Sequence, residues 1–430
     1  MNYLPRIADD LLREHLEAMG AVLIQGPKWC GKTTTAEQQA KSVLRMQDTD
    51  NRAQYLTIAA HQPSFLLEGN KPRLIDEWQD APILWDAIRQ ECDKLGNGSG
   101  LFILTGSTVV DEKKIMHSGT GRISRIKMLP MSLWESGESN GTVSLKEMFD
   151  HPQEEVFCHS DLTIDELLFV ACRGGWPHSL QGKTDKQKLL VAQNYVESVY
   201  ESDMSRVDGV QKNPKLARTL LCSYARNIST LAKATTIMAD ITASGKIDCS
   251  RNTYETYIAA LEKLFVISDL DAWCPAIRSK TAIQSSPKRS FCDPSIAATL
   301  LGVTPESLKM DFLTFGFLFE QLCIRDLRAY SQQLGGEVEY YHDRYGLEAD
   351  IVLHLRDGRS ALIECKLGGN GIEDGAKHLL KIKQLIHEKN QTEKQMPIRE
   401  PDLLIVLTGG EYGFTTKDGV KVIPLACLRP

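Results

Sequence analysis

Residues 26–34 read GPKWCGKTT, a match to G-x-x-x-x-G-K-[ST] that follows the apolar run AVLIQ (21–25) and precedes a helical stretch. Glycines at 26 and 31 let backbone N–H groups curl around phosphates, Lys32 reaches the β/γ oxygens, and the Thr33 hydroxyl is placed to hold Mg²⁺. The helix that follows adds its positive dipole end. The loop Gly26, Pro27, Lys28, Trp29, Cys30, Gly31, Lys32, Thr33 and Thr34 is therefore the expected ATP site, with Cys30 read as a tolerated small residue rather than a redox switch. Around it the first 135 residues alternate strand and helix signals, which predicts a parallel α/β sheet. Its expected strands are 21–25, QYLTI at 54–58, RLID at 73–76 and LFILTGS at 101–107.

Hydrolysis needs more than a phosphate loop. A carboxylate on a neighbouring strand end must complete the Mg²⁺ shell, and a base must orient water. RLIDEWQ supplies Asp76 for the metal and Glu77 for the water; the plainer alternative is a solvated turn. The strand LFILTGS ends in hydroxyls, so Thr105 or Ser107 is expected near the γ-phosphate. Downstream, GRISRIK offers Arg122 or Arg125 as an arginine finger, although an exposed arginine is more often an ordinary surface residue. A small-molecule kinase is disfavoured by Glu77 beside Asp76, a pairing suited to activating water.

At 430 residues the chain is too long for one core, and two to four domains are expected. Its 42% hydrophobic and 25% charged residues are those of a globular protein. A formal charge of -6 excludes a generally basic nucleic-acid coat, so DNA contact needs a local patch. The eleven cysteines form no CxxC pair, which argues against zinc and against a secreted disulfide framework. With no apolar leader and no run approaching about 20 apolar residues, a reduced, soluble, cytoplasmic protein without membrane contact is expected.

Residues 136–214 read as a mainly helical linker or lid with a polar break at 182–188. From 215 to 304 the order is three helices and then the strand FVISDL, a winged-helix-like pattern whose plainer alternative is a helical lid. In RNTYETYIAALEKLF, Tyr254, Tyr257, Ile258, Leu261 and Leu264 share one helical face. Residues 305–430 read helix, three strands, helix, strand, a second α/β unit. Within it, EADIVLHL and RSALIECKL form a hairpin carrying Asp350, Glu364 and Lys366. Side chains alternate along a strand, so Glu364 and Lys366 share a face and Cys365 points away. Two carboxylates and a lysine are what a metal-dependent nuclease uses, in the D…E-x-K pattern of the restriction-endonuclease-like fold. Glu320 in FGFLFEQL is a further candidate ligand and Gln384 a weaker match. A cross-strand salt bridge on a relic fold is the alternative.

The order GPKWCGKTT, LIDEWQ, FILTGS, GRI, LPMSLWE, RGGWPHSL, YVESVYESDM, FCDPSIAATLLG, FGFLFEQL covers nearly the whole chain. It resembles the prokaryotic P-loop ATPases of the AAA superfamily that carry a C-terminal domain of unknown function. The resemblance implies an AAA-type ATPase domain (1–135), a winged-helix-like middle and a restriction-endonuclease-like end (305–430). ATP, Mg²⁺ and a homo-oligomer are expected. Nucleic acid, DNA rather than RNA, is the expected partner, gripped through Arg278, Lys280, Lys288 and Arg289 and through Lys377, Lys381, Lys383 and Lys389. The competing function is an ATP-controlled switch acting on a protein partner, with the nuclease-like fold inactive.

Overall fold

The structure, a computed structural model, describes residues 3–94, 96, 98–108, 116–243, 249–274, 286–343, 346–392 and 397–430. Two units separate by their internal contacts: Met1–Pro130 with Ala260–Val266, and Met131–Ala259 with Ile267–Pro430.

The first unit is built on five parallel strands, β1 (Ala21–Gln25), β2 (Ser42–Arg45), β3 (Arg73–Asp76), β4 (Phe102–Gly106) and β5 (Ile123–Lys127), in the order β2-β3-β4-β1-β5. The two central strands are buried almost throughout, as expected where helices cover both faces of a parallel sheet. Helices α1 (Ile7–Ala18), α2 (Lys32–Glu37), α3 (Arg52–His61) and α4 (Ile83–Lys94) accompany it. Leu23, Ile75, Leu84, Trp85, Phe102 and Leu104 belong to its core, with the Trp78 and Trp85 rings 5.0 Å apart.

Residues 54–58, expected as a strand, lie instead in α3. Their β-branched and aromatic content suggested a strand, but Tyr55, Leu56, Ile58 and Ala59 pack on the core at helical spacing. The second strand is SVLR at 42–45, too short and too polar to stand out. ISRIK at 123–127 was read for its arginines, yet Ile123 and Ile126 are buried and it forms the β5 edge.

In the second unit, seven strands run in the order β7-β12-β13-β11-β10-β9-β8. They are β7 (Phe157–His159), β8 (Gly336–His342), β9 (Glu348–Leu355), β10 (Ser360–Lys366), β11 (Leu403–Thr408), β12 (Tyr412–Thr415) and β13 (Lys421–Pro424). A separate pair joins β6 (Val143–Ser144) to β14 (Leu428–Arg429). The expected sequence of helix, three strands, helix and strand is present as Phe312–Gln333, β8–β10, Ile372–Thr392 and β11. β8, β9 and β10 are antiparallel neighbours, while β11 pairs parallel to β10. β7 comes from a stretch expected to be mainly helical. It closes the sheet by pairing antiparallel with β12.

Three helices, Pro214–Arg226, Ala234–Ala243 and Arg251–Lys263, occupy the stretch read as winged-helix-like. The expected strand FVISDL is reduced to isolated antiparallel bridges, Ile267 with Phe291 and Leu270 with Lys288. Arg278 and Lys280 lie outside the described residues.

Several segments that carry the resemblance in the sequence meet in a buried charge network of this unit. Arg325 on the Phe312–Gln333 helix sits 3.2 Å from Asp293 and 2.7 Å from Asp326, and all three are essentially inaccessible. Asp293 also accepts the Gly175 N–H at 2.9 Å and the Ser295 hydroxyl at 2.6 Å, and that hydroxyl in turn accepts from the Trp176 indole. Asp326 accepts the Leu133 N–H at 3.0 Å. LPMSLWE, RGGWP, CDPS and the helix after FGFLFEQL are thus tied by hydrogen bonds. Burial pushes Asp326 up to about 6, against the pull of Arg325. YVESVYESDM is distinctive for another reason, since Val199–Asp203 winds as a π-helix.

Candidate functional site

In the first unit the phosphate loop leaves the end of β1 and returns as α2. Gly26 has φ +155, and a Cβ there would lie 2.1 Å from the Met128 carbonyl oxygen. Gly31, with φ +101, caps α2 in a conformation that side chains resist. Lys32, 6% exposed, donates to the carbonyls of Gly26 at 3.0 Å and Pro27 at 2.8 Å, so its ammonium reaches back across its own loop. Cys30 is fully buried and Trp29 is half exposed at φ 65. Arg6, which lies outside every motif, donates to the carbonyls of Cys30 at 2.7 Å and Leu129 at 2.9 Å and so braces the loop.

The neighbouring strand ends bring the expected acidic groups to this loop. Asp76 closes β3 in register with Thr105 on β4. One of its oxygens accepts both the Thr33 hydroxyl at 2.7 Å and the Thr105 hydroxyl at 2.5 Å. Glu77 follows at φ 55, a left-handed backbone that costs a non-glycine residue roughly 1–3 kcal/mol. Its Oε2 accepts from Ser107 at 3.2 Å and from the Gln79 amide. Gln79 is a second group that the sequence reading missed. Its Oε1 and the Trp78 indole N–H are buried without a partner, both facing Gly106. A hydroxyl and a carboxylate are hard oxygen donors, the set that suits Mg²⁺ carried on a nucleotide, so Thr33 and Asp76 fit that ion.

Arg122 stands elsewhere. Its carbonyl accepts from Ala21 N–H at the start of β1, the end of the sheet opposite the loop. Five strand residues at roughly 3.3 Å each separate the two ends, about 16 Å. Arg122 pairs with Asp93 at 2.5 Å, whose carboxyl it holds below the ordinary range. It cannot serve the loop of its own chain. Arg125 is exposed on β5, with its guanidinium 5.5 Å from the Trp85 ring.

In the second unit the hairpin does gather its acidic groups. Asp350 Oδ2 accepts the Cys365 N–H at 2.9 Å and lies 3.9 Å from Lys366 Nζ, which pairs with Glu364 at 2.6 Å. Glu320 also joins, but through a residue that had been read differently. Lys288, expected on a DNA-binding surface, is 5% exposed, 2.6 Å from Glu320 and 3.6 Å from Asp350 Oδ1. Arg289 is likewise buried, held by Asp269 at 2.7 Å and the Ala232 carbonyl. Neither cation faces solvent, which corrects the expected basic wing. Gln384 is exposed and bonded to Glu388, apart from the cluster.

Burial alone would lower Lys288, but the charges of Glu320 and Asp350 outweigh it and keep the ammonium protonated. Burial pushes Glu320 and Glu364 up to about 7, the second helped by the nearby Asp350 charge and opposed by Lys366. A carboxyl raised on folding binds protons more readily in the folded state, so stability falls as pH rises from the ordinary carboxylate range through about 7. Urea unfolding at pH 5 and pH 8 should show that decline. Glu364→Gln should reduce it by on the order of 1–3 kcal/mol; an unchanged difference would remove Glu364 as its source. Among the described residues no group of three or more His, Cys, Asp or Glu is arranged to hold a metal ion. In the acidic cluster Glu320 and Asp350 are engaged by Lys288 and Glu364 by Lys366. Among the same residues no helix is long and apolar enough to cross a membrane.

Family models match three stretches: an AAA domain over residues 19–136, a domain of unknown function (DUF8612) over 164–307 and another (DUF4143) over 315–428. The chain is 23% identical over 378 residues to the uncharacterized protein Rv2008c of Mycobacterium tuberculosis, spanning 83% of this chain and 76% of that one. Solved structures similar to it include the Walker-type ATPase PABY2304 of Pyrococcus abyssi, at TM-score 0.42 and 14% identity over 69% of this chain and 96% of the other. The ORC2 protein of Aeropyrum pernix matches at TM-score 0.29 and 12% identity, over 72% and 97%. With the loop, the five-stranded parallel sheet and the AAA match in hand, the chain carries an AAA-type P-loop ATPase domain.

Proposed function

We propose that the first unit hydrolyses ATP and that its nucleotide state governs nucleic-acid binding by the rest of the chain. The observation that carries the hydrolytic reading is the shared Asp76 oxygen, bonded to Thr33 of the loop, with Glu77 next in sequence and held by Ser107. In this reading loop amides and Lys32 bind the β/γ phosphates, Thr33 and Asp76 hold the metal, and Glu77 takes the proton of the attacking water. Mg²⁺ bound with the nucleotide would supply charge neutralisation on the phosphate oxygens. Ser107 and Gln79 fix the Glu77 carboxylate so that it is already turned when substrate arrives.

Arg122 acts, in this reading, from a neighbouring copy, because it lies too far from its own loop. Turnover per subunit should then rise with protein concentration, and Arg122→Ala should lower kcat far more than nucleotide affinity, toward the 10³–10⁵ of a trans arginine. A rate independent of concentration in a stable monomer would return Arg122 to the surface. The nucleic-acid part now rests on the Ile372–Thr392 helix, where Lys377, Lys381 and Lys389 are exposed. Its test is a mass measurement with ATP or ADP, with and without duplex DNA. The burial of Lys288 and Arg289 favours the second reading, an ATP-controlled switch acting on a protein partner. ATP-dependent assembly that DNA leaves unchanged would select it.

A further inference from the structure

The five groups of the acidic cluster alternate in charge: Glu320, Lys288, Asp350, Lys366, Glu364. Lys288 enters from outside the hairpin and donates to Glu320 Oε1 at 2.6 Å and to the Asp350 backbone carbonyl at 3.1 Å. Its own N–H and C=O are both bonded to Leu270, so the backbone that carries it is fixed in place. Both Asp350 oxygens are committed, Oδ1 toward Lys288 and Oδ2 toward the Cys365 N–H and Lys366. Among these five groups, Glu364 Oε1, on a residue 1% exposed, is buried without a partner.

We propose that Lys288 is the resident cation of this cluster, standing where a divalent ion would sit among the carboxylates, so that the wild-type cluster is closed to metal. A small divalent ion needs oxygens at about 2.0–2.2 Å and is repelled by an ammonium among them. Neutralisation by a covalently attached cation makes the arrangement permanent and independent of metal supply. Removing the Lys288 ammonium leaves Glu320 and Asp350 without the cation they share and opens that pair of carboxylates to a divalent ion. The choice of metal as the probe rests on the nuclease-like reading of this unit; the position of Lys288 does not.

The test uses the full chain without nucleotide and Mn²⁺ alone, followed by electron paramagnetic resonance and by the shift of the thermal midpoint. Wild type and Asp350→Asn should bind Mn²⁺ alike. Lys288→Met should gain one saturable site, at least about tenfold tighter than any wild-type binding, and should be stabilised by Mn²⁺. Adding Asp350→Asn should erase that gain, while ATP turnover stays at the wild-type rate throughout. Where Lys288→Met alone does not fold, Lys288→Met with Glu320→Gln removes the charge imbalance and should still gain Mn²⁺ through Asp350 and the amide oxygen at position 320. Wild-type Mn²⁺ binding that Asp350→Asn abolishes would overturn the proposal, as would no gain in a folded Lys288→Met or paired variant. Metal-dependent DNA cleavage lost in Asp350→Asn would overturn it while upholding the nuclease-like reading. Failure to bind DNA at all would count against the proposed function and leave Lys288 untouched.

Discussion

Glu77→Gln should give a protein that binds ATP at near wild-type affinity and hydrolyses it about 10²–10⁴-fold more slowly. The substitution preserves shape and the contact with Ser107 but removes the carboxylate proposed to accept the proton from water. Binding should survive because, in the proposed reading, the phosphates are held by loop amides and Lys32 rather than by Glu77. Its left-handed φ makes the position informative, since the backbone holds an unfavourable conformation where the side chain is needed. Lys32→Ala should fail differently, losing nucleotide affinity along with turnover. The two variants are separated by measuring bound nucleotide and released phosphate on the same preparation. Wild-type phosphate release by Glu77→Gln would transfer the base role to another group.

The largest stability effect is expected at Asp293. Removing its carboxylate in Asp293→Ala strips Arg325 of one of two counter-charges in a site where both are inaccessible, and also orphans the Gly175 N–H. Breaking a buried pair from one side costs about 3–5 kcal/mol, because the remaining charge is left uncompensated. For a unit of this size that corresponds to a drop in Tm on the order of 10 °C. Asp293→Asn, which can still accept the Gly175 N–H, should lose less. Calorimetry resolves the question, and a melting profile for Asp293→Ala matching wild type would reduce the network to passive packing.

The phosphate loop was legible because its chemistry is local: the glycines, Lys32 and Thr33 act within nine consecutive residues. The position of Asp76 beside the loop was legible because a strand end next to such a loop has few alternatives. The antiparallel hairpin and its two flanking helices could also be read from periodicity. Lys288 could not, because its meaning depends on partners 32 and 62 residues away, and a lysine beside Arg289 looks in sequence like a solvated basic patch. Gln79 and Arg6 escaped for a related reason, since each works through a carboxylate or carbonyl that it meets only after folding. β7 and β12 are too short, at three and four residues, to leave a periodic signal.

The pairing of β7 with β12 joins residues 157–159 to residues 412–414 and has a consequence for synthesis. The five-stranded sheet has all of its strands once residue 127 has emerged. β7 waits for its partner through roughly 250 further residues, about 13–50 s at 5–20 residues per second. Throughout that interval its backbone donors and acceptors, with Phe157 beside them, are open to the nascent strands of other chains. A three-residue edge is a poor template for such capture, and its brevity protects the chain while it waits.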